Sequence, residues 1–587
     1  MLSIRSLAVL PLLTATWAVG AEATVAVDHD VTTFRGTAQR TGWFAHEDHL
    51  TVSEVSSAGF GLLWKSEELD RCNDQAAHLY AAPLYLDQLA ITAPGSAGTY
   101  RVVIAATSND YVYAINAAAQ SAHAAGAILW RCCLGKPAHG TDGGVPMGVL
   151  GTPVIDHAAG RLYVCAATSE EPGRGWKLYA LGLGDGHVLP GWPVAISKDA
   201  LNQPGINSNG PSAMGAQGAT SQRSALLLSH SGKLVYIAFG AYGDGVPGWM
   251  VAVDTVRPAI AHAFSSAPSP ERNNGGIWGA AGLSMDENGN IYGVTGNSAP
   301  GAGEKPGVWG ETLLRWGEPG AGGLALNGTY TPFNYDTLDR ADIDLGSSSA
   351  MLIPALDPAQ TATPRLVAIG GKQGNVYLID RQKLAGGLMH RPPVSKDSAS
   401  DTSLLPPTPQ PQFQARGPLN VFGPYSEQIG AMDFAHSRST PAYFAAGGKH
   451  YLVATGVSFS YAGSTGSIPP SVARLRIVTA PGAPAYLELD GVEKTLAMTN
   501  PGCAVVSSDG EREAVIWVLD MPQRSKNLTK DDTRRPLLYA LDALTLRILW
   551  RSGEQELGQG GKYTGPSIAR GQVLVGTDRV YAFGSRR

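Results

Sequence analysis

Short apolar runs broken by Gly, Asp and Asn recur through this chain, and their spacing sets the first expectation. Arg101-Val-Val-Ile-Ala105, Arg161-Leu-Tyr-Val-Cys165, Leu234-Val-Tyr-Ile-Ala238 and Gln572-Val-Leu-Val575 are rich in β-branched and aromatic residues and bounded by turn formers, which predicts strands. A second pattern repeats beside them, in which an aromatic or aliphatic residue opens a small apolar strand ending in Asp, Asn or Gly. It reads Tyr113-Ala-Ile-Asn116, Tyr179-Ala-Leu-Gly182, Val251-Ala-Val-Asp254, Tyr377-Leu-Ile-Asp380, Tyr539-Ala-Leu-Asp542 and Tyr581-Ala-Phe-Gly584. Two degenerate copies, Leu313-Leu-Arg-Trp316 and Leu475-Arg-Ile-Val478, fill the wide gaps. Eight copies then begin at 113, 179, 251, 313, 377, 475, 539 and 581, most of them 62 to 72 residues apart. Such regularity marks a repeat architecture.

After several copies a turn leads into a Trp-terminated strand, as in Ala127-Ile-Leu-Trp130 and Arg547-Ile-Leu-Trp550. This is the order of strands in a four-stranded blade, so the fold expected is an all-β, eight-bladed β-propeller. The last copy has no outer strand after it, whereas Gly61-Leu-Leu-Trp64 is an outer strand with no blade before it. The N-terminal strand is therefore expected to close the eighth blade, which removes the exposed edges of an open array. Residues 24–587 form one propeller domain on this reading, with insertions at about 301–337, rich in Gly, and about 386–429, rich in Pro. Each insertion is either a surface loop or a lid over a central pocket.

Composition changes the picture at three points. Of 587 residues only 16% are charged, and 44 Lys+Arg stand against 49 Asp+Glu, so there is no electrostatic footprint for nucleic acid. Arg5, the apolar stretch from Leu7 to Val19 and Ala21-Glu-Ala23 fit a secretory signal over residues 1–23, and no later run approaches the roughly 20 apolar residues of a membrane span. The mature chain is accordingly expected in the periplasm or secreted. There, its 5 cysteines allow at most two disulfides.

Several common chemistries are missing. The chain has no HExxH, Walker A loop, GxSxG elbow or zinc-spaced Cys/His pattern, and no CxxCH for covalent haem. Asp286-Glu-Asn288-Gly-Asn290 reads as a hairpin turn between Leu283 and Ile291 rather than a calcium loop, because Asn-Gly lies between apolar runs and the distal Glu is absent.

The eight-fold count, the Tyr-x-Leu-Asp motif, the outer-strand tryptophans and the segment from Asp244 to Asp380 resemble the pyrroloquinoline quinone (PQQ) dependent alcohol dehydrogenases, and more closely exported bacterial PQQ-like propeller proteins. Gly275-Gly-Ile-Trp278 is similar to the segment whose Trp lies under the quinone, and a flat indole suits a planar cofactor. Thr295-Gly-Asn297 resembles the segment whose Asn binds the metal. Ala341-Asp342-Ile-Asp344 resembles the segment holding the catalytic Asp, although Ala341 replaces the usual Trp; Asp344 has the spacing of a second metal carboxylate in lanthanide-using members. Gly371-Lys372-Gln-Gly374 is similar to the segment whose cation contacts quinone and metal-binding Asp, where it stabilises charge on the reduced quinone. Asp244 offers a further metal carboxylate, one position out of the family's register. Cys132 and Cys133 resemble the adjacent cysteines that roof the quinone, but they stand earlier than the family spacing. They are otherwise two inert outer-strand thiols or partners of Cys72 or Cys503.

The resemblance implies an oxidoreductase in which an alcohol gives hydride to PQQ, with a Ca²⁺ or lanthanide ion as Lewis acid and Asp342 as the base. Electrons then leave to a separate acceptor such as a soluble cytochrome. The alternative is a non-catalytic propeller that scaffolds envelope proteins or binds a ligand, since one fold hosts both uses.

Overall fold

In a computed structural model of the chain, the repeat copies fall on equivalent strands. The structure describes residues 29–586 except 73, 120–122, 140–145, 171–172, 214–219, 242–245, 269–274, 300–304, 321–322, 385–402, 407–416, 423–434, 462–463, 465 and 523–533. The expected signal segment, Asp244 and most of the 386–429 insertion lie outside these residues. Blade one shows the pattern: Leu84–Ile91, Gly98–Ala106, Tyr111–Asn116 and Ile128–Cys133 form one antiparallel sheet in that order. Seven further sheets repeat it around the ring. All eight copies of the sequence motif, the degenerate Leu313 and Leu475 copies included, lie on the third strand of a blade. The stretch 301–337 contributes Leu313–Trp316 and Leu326–Tyr330 to blade four, so part of that excursion is blade rather than loop.

The strands are apolar on both faces because each blade is sandwiched between two neighbours. Val102, Ile104 and Ala106 pack towards Leu162, Val164 and Ala166 of blade two, while the alternating Val103 and Ala105 pack towards Leu574, Val580 and Ala582 of blade eight. A period of two thus serves two interfaces at once, and each buried Leu or Val adds roughly 1.5–3 kcal/mol. The ring closes as the sequence predicts. Phe60–Lys65 pairs antiparallel with Val580–Ser585, with Phe60 opposite Ser585 and Trp64 opposite Ala582. Trp64 Nε1 donates to Gln572 Oε1 at 3.0 Å.

The N-terminal segment does more than the sequence suggested. Residues 31–44 cross the middle of the ring and bond to inner strands in turn: Val31 to Tyr85, Thr32 to Ile155, Ala38 to Met285, Gln39 to Leu352, Thr41 to Tyr443 and Gly42 to Val506. Trp43–Phe44 also adds a parallel strand to blade seven. Two fully buried guanidinium groups anchor this plug. Arg35 donates to the carbonyls of Arg40, Thr41, Thr440, Pro441 and Ala504. Arg40 donates to the carbonyls of Phe34, Leu226 and Leu283 and to Thr33 Oγ1. Among the described residues no helix is long and apolar enough to cross a membrane.

Candidate functional site

Strand order decides which face carries chemistry. In a four-stranded antiparallel blade, the hairpin between second and third strands and the crossover to the next blade emerge at the same end. Thr295-Gly-Asn297 and Lys372 lie on such hairpins, in blades four and five, and Trp278, Asp342 and Asp344 lie on crossovers into those blades. Topology therefore brings together five residues scattered over 95 positions of sequence.

Trp278 leans on backbone where a side chain would obstruct it. A Cβ on Gly240 would lie 2.9 Å from Trp278 Cβ, and one on Gly296 would lie 3.0 Å from the indole Nε1 and 2.8 Å from Asp344 Oδ1. Both glycines are needed for this close approach. Asp344 is buried and fully engaged: Oδ1 accepts the Asn297 N–H at 2.8 Å and Oδ2 accepts Lys372 Nζ at 3.3 Å. Asp342 ends the helix Tyr335–Ala341 in the left-handed conformation, φ 53°, which turns its carboxylate towards Lys372 Nζ at 2.9 Å. Its side chain is 63% exposed, against 12% for Lys372. Burial pulls the Lys372 ammonium down, but the Asp344 and Asp342 carboxylates outweigh it and hold it above the ordinary lysine range.

Two buried acids brace this group, and sequence reasoning missed both. Glu311 Oε2 accepts the Leu345 N–H at 2.6 Å, and Asp339 accepts the N–H and hydroxyl of Ser298 at 2.7 and 2.8 Å. They tie the Asp342–Asp344 turn to the Thr295–Ser298 segment.

Four more residues meet Trp278 at the axis. Tyr563 lies 6.4 Å from it, ring to ring, at 58°. Arg223 Cζ stands 5.8 Å from the Trp278 ring and 5.3 Å from that of Tyr563, with Lys562 Nζ at 5.1 Å and Arg438 Cζ at 5.9 Å from the same phenol. Crossovers two-to-three, three-to-four, five-to-six and seven-to-eight supply these groups, and elements from opposite sides of a ring can meet only near its axis. The signal for them was positional: Arg223, Arg438 and Tyr563 each stand four residues before the first strand of their blades, at Leu227, Ala442 and Ser567. Burial pushes the Tyr563 hydroxyl up, yet Arg438, Lys562 and Arg223 together bring it down to about 8. The same crowding, with burial, lowers the Lys562 ammonium despite the phenol beside it.

The remaining expected residues stand apart. Cys132 and Cys133 end the outermost strand of blade one, opposite Val112 and Tyr111, with both thiols free. Cys132 packs into the interface with blade two. The metal expected at Asn297, Asp342, Asp344 and Asp244 has one of its four residues, Asp244, outside the described residues. Among the described residues no three His, Cys, Asp or Glu side chains come together, and an ammonium already holds the two carboxylates. Asp286 is confirmed as a turn residue: its Oδ1 accepts the N–H groups of Asn288 and Asn290 between Ser284–Met285 and Ile291–Val294.

Comparison with solved structures agrees with the architecture. The chain is similar to the quinohemoprotein alcohol dehydrogenase from Comamonas testosteroni, with 15% identity over 95% of this chain and 81% of that one and a TM-score of 0.58. Its fold is that of the quinoprotein dehydrogenases. A europium-containing methanol dehydrogenase gives 14% identity over 94% of this chain and 90% of that one, with a TM-score of 0.54. At such identity the likeness to these quinoprotein propellers is one of fold. No family model matches the chain, and no curated protein does.

Proposed function

We propose that this chain is an exported quinone-dependent oxidoreductase that oxidises an alcohol at the axial site. The observation that carries this reading is the Lys372 ammonium clasped between Asp342 and Asp344 beside Trp278. Trp278 offers a flat surface for a planar quinone such as PQQ, and Gly240 and Gly296 clear the backbone around it. Bound there, PQQ supplies the acceptor for hydride from the alcohol carbon. Lys372 is placed to offset negative charge developing on a quinone oxygen. Asp342 is open to the ligand and takes the hydroxyl proton, while its bond to Lys372 fixes its orientation. Asp344 holds Lys372 in place from beneath. No step is assigned to a metal ion. Electrons pass to a separate acceptor such as a soluble cytochrome, for the chain has no haem-attachment motif.

Reconstitution tests this. The purified chain is mixed with PQQ alone and with added Ca²⁺ or La³⁺, following tryptophan quenching and dye-linked oxidation of an alcohol panel. We expect quenching that is lost in Trp278→Ala and turnover that falls roughly 10²-fold or more in Asp342→Asn. Absence of PQQ binding under all three conditions would sink the reading and leave a ligand-binding or scaffolding propeller.

A further inference from the structure

Arg438 and Lys562 are half-buried, and among the described residues neither has a carboxylate at ion-pair distance. They face Tyr563 together with Arg223, three cationic heads within 6 Å of one phenol ring. Like charges gathered at this range repel, and burial deprives them of water, so the arrangement is costly unless something negative joins it. Guanidinium and ammonium groups in a partly dry site are the usual receptors for carboxylate or phosphate. The Ser437 N–H donates to the Lys372 carbonyl at 3.1 Å, which places the Arg438 segment next to the Asp342–Lys372–Asp344 cluster. A ligand with a hydroxyl at Asp342 and an oxyanion at Arg438 and Lys562 satisfies both.

We propose that Arg438, Lys562 and Arg223 form an oxyanion site around Tyr563 that receives the carboxylate of the substrate, so that the substrate is a hydroxy acid rather than a neutral alcohol. The fate of the hydroxyl rests on the oxidoreductase reading above; the anion site does not. In the reaction the carbon–hydrogen bond gives its hydride to the quinone and the hydroxyl proton passes to Asp342. A keto acid remains, with its carboxylate unchanged. Below about pH 8 the Tyr563 phenol is neutral and the cations are available to the ligand. Above it the phenolate offsets them, so affinity for an anion falls as pH rises through that value.

The test uses the full mature chain without cofactor. Mandelate and tartrate are titrated calorimetrically, with mandelamide as the uncharged counterpart of mandelate. At least one acid is expected to bind, mandelamide at least ~10-fold more weakly than mandelate if mandelate is that acid, and Arg438→Gln and Lys562→Met are each expected to weaken the acid ~10-fold or more. Tyr563→Phe should retain binding at neutral pH, which shows that the cations still fold into place, and any decline left at high pH should then follow the lowered Lys562 ammonium. Binding of neither acid, equal binding of acid and amide, or unchanged affinity in both cation variants would overturn the proposal. So would displacement of the acid by PQQ, with PQQ affinity falling in the same variants, because the cations would then serve the cofactor. If PQQ fails to bind while the acid still does, the oxidoreductase reading falls and the oxyanion site stands.

Discussion

The plug and the axial site both hold buried or half-buried cations, with Arg35 of the plug bonded to the crossover that carries Arg438, and they treat charge in opposite ways. Arg35 and Arg40 are saturated by backbone carbonyls, five bonds on Arg35 alone, without a single carboxylate. Arg438 and Lys562 instead stand 5.9 and 5.1 Å from the ring of one phenol, Tyr563. A guanidinium has five donors in a rigid fork, so it can fasten several chain segments at once, which is what the plug requires. Among the described residues Arg438 and Lys562 hold no backbone carbonyl in this way. Saturation marks a charge used for structure, and crowding marks one reserved for a ligand.

Asp110 shows a third treatment. It sits on the second hairpin of blade one, fully buried, with both oxygens lacking a hydrogen-bond partner among the described residues, and burial pushes its carboxyl up to about 8. It escapes the cost of a buried charge by keeping its proton.

Three substitutions would break or sharpen this contrast. Arg35→Met strands five buried carbonyls from five positions around the plug and should cost about 4 kcal/mol or more, read as a loss in denaturant midpoint. A loss below ~1 kcal/mol would mean the plug is not held by its guanidinium groups. Asp110→Asn acts through pH. The folded carboxyl titrates above its ordinary range, so its contribution is full below about pH 4 and is lost as pH rises towards 8. The variant should therefore match the parent in acid and exceed it by about 3 kcal/mol near pH 7, in denaturation curves taken across that window. A constant difference would show that Asp110 has a partner in solution. Lys562→Met should be the mildest, a gain of ~1 kcal/mol at neutral pH from removing a crowded, desolvated cation. A loss of similar size would make Lys562 structural, like Arg35.

The blades were legible because their signal is local. Tyr113, Tyr179, Tyr377, Tyr539 and Tyr581 mark third strands through period-two burial and a turn residue, and even the worn copies at Leu313 and Leu475 kept that register. The cluster of Trp278, Asn297, Asp342, Asp344 and Lys372 was legible in part, since topology brings its segments together and Lys372 lies on both Asp342 and Asp344. Cys132 and Cys133 stand on the outermost strand of blade one, and adjacency in sequence carries no information about which strand of a blade nears the axis. Arg35, Arg40, Arg223, Arg438 and Lys562 left no motif at all. Their partners are carbonyls and ring faces contributed by distant segments, with Arg35 reaching residues 405 to 469 positions away, and any residue supplies a carbonyl.

The plug also dictates a timetable. The segment made first finds its partners among those made last: Arg35 needs Thr440 and Ala504, and Phe60–Lys65 waits for Val580–Ser585. Until the final blade emerges, Phe60–Lys65 has no strand to complete, the ring stays open and two strand edges remain available to other chains.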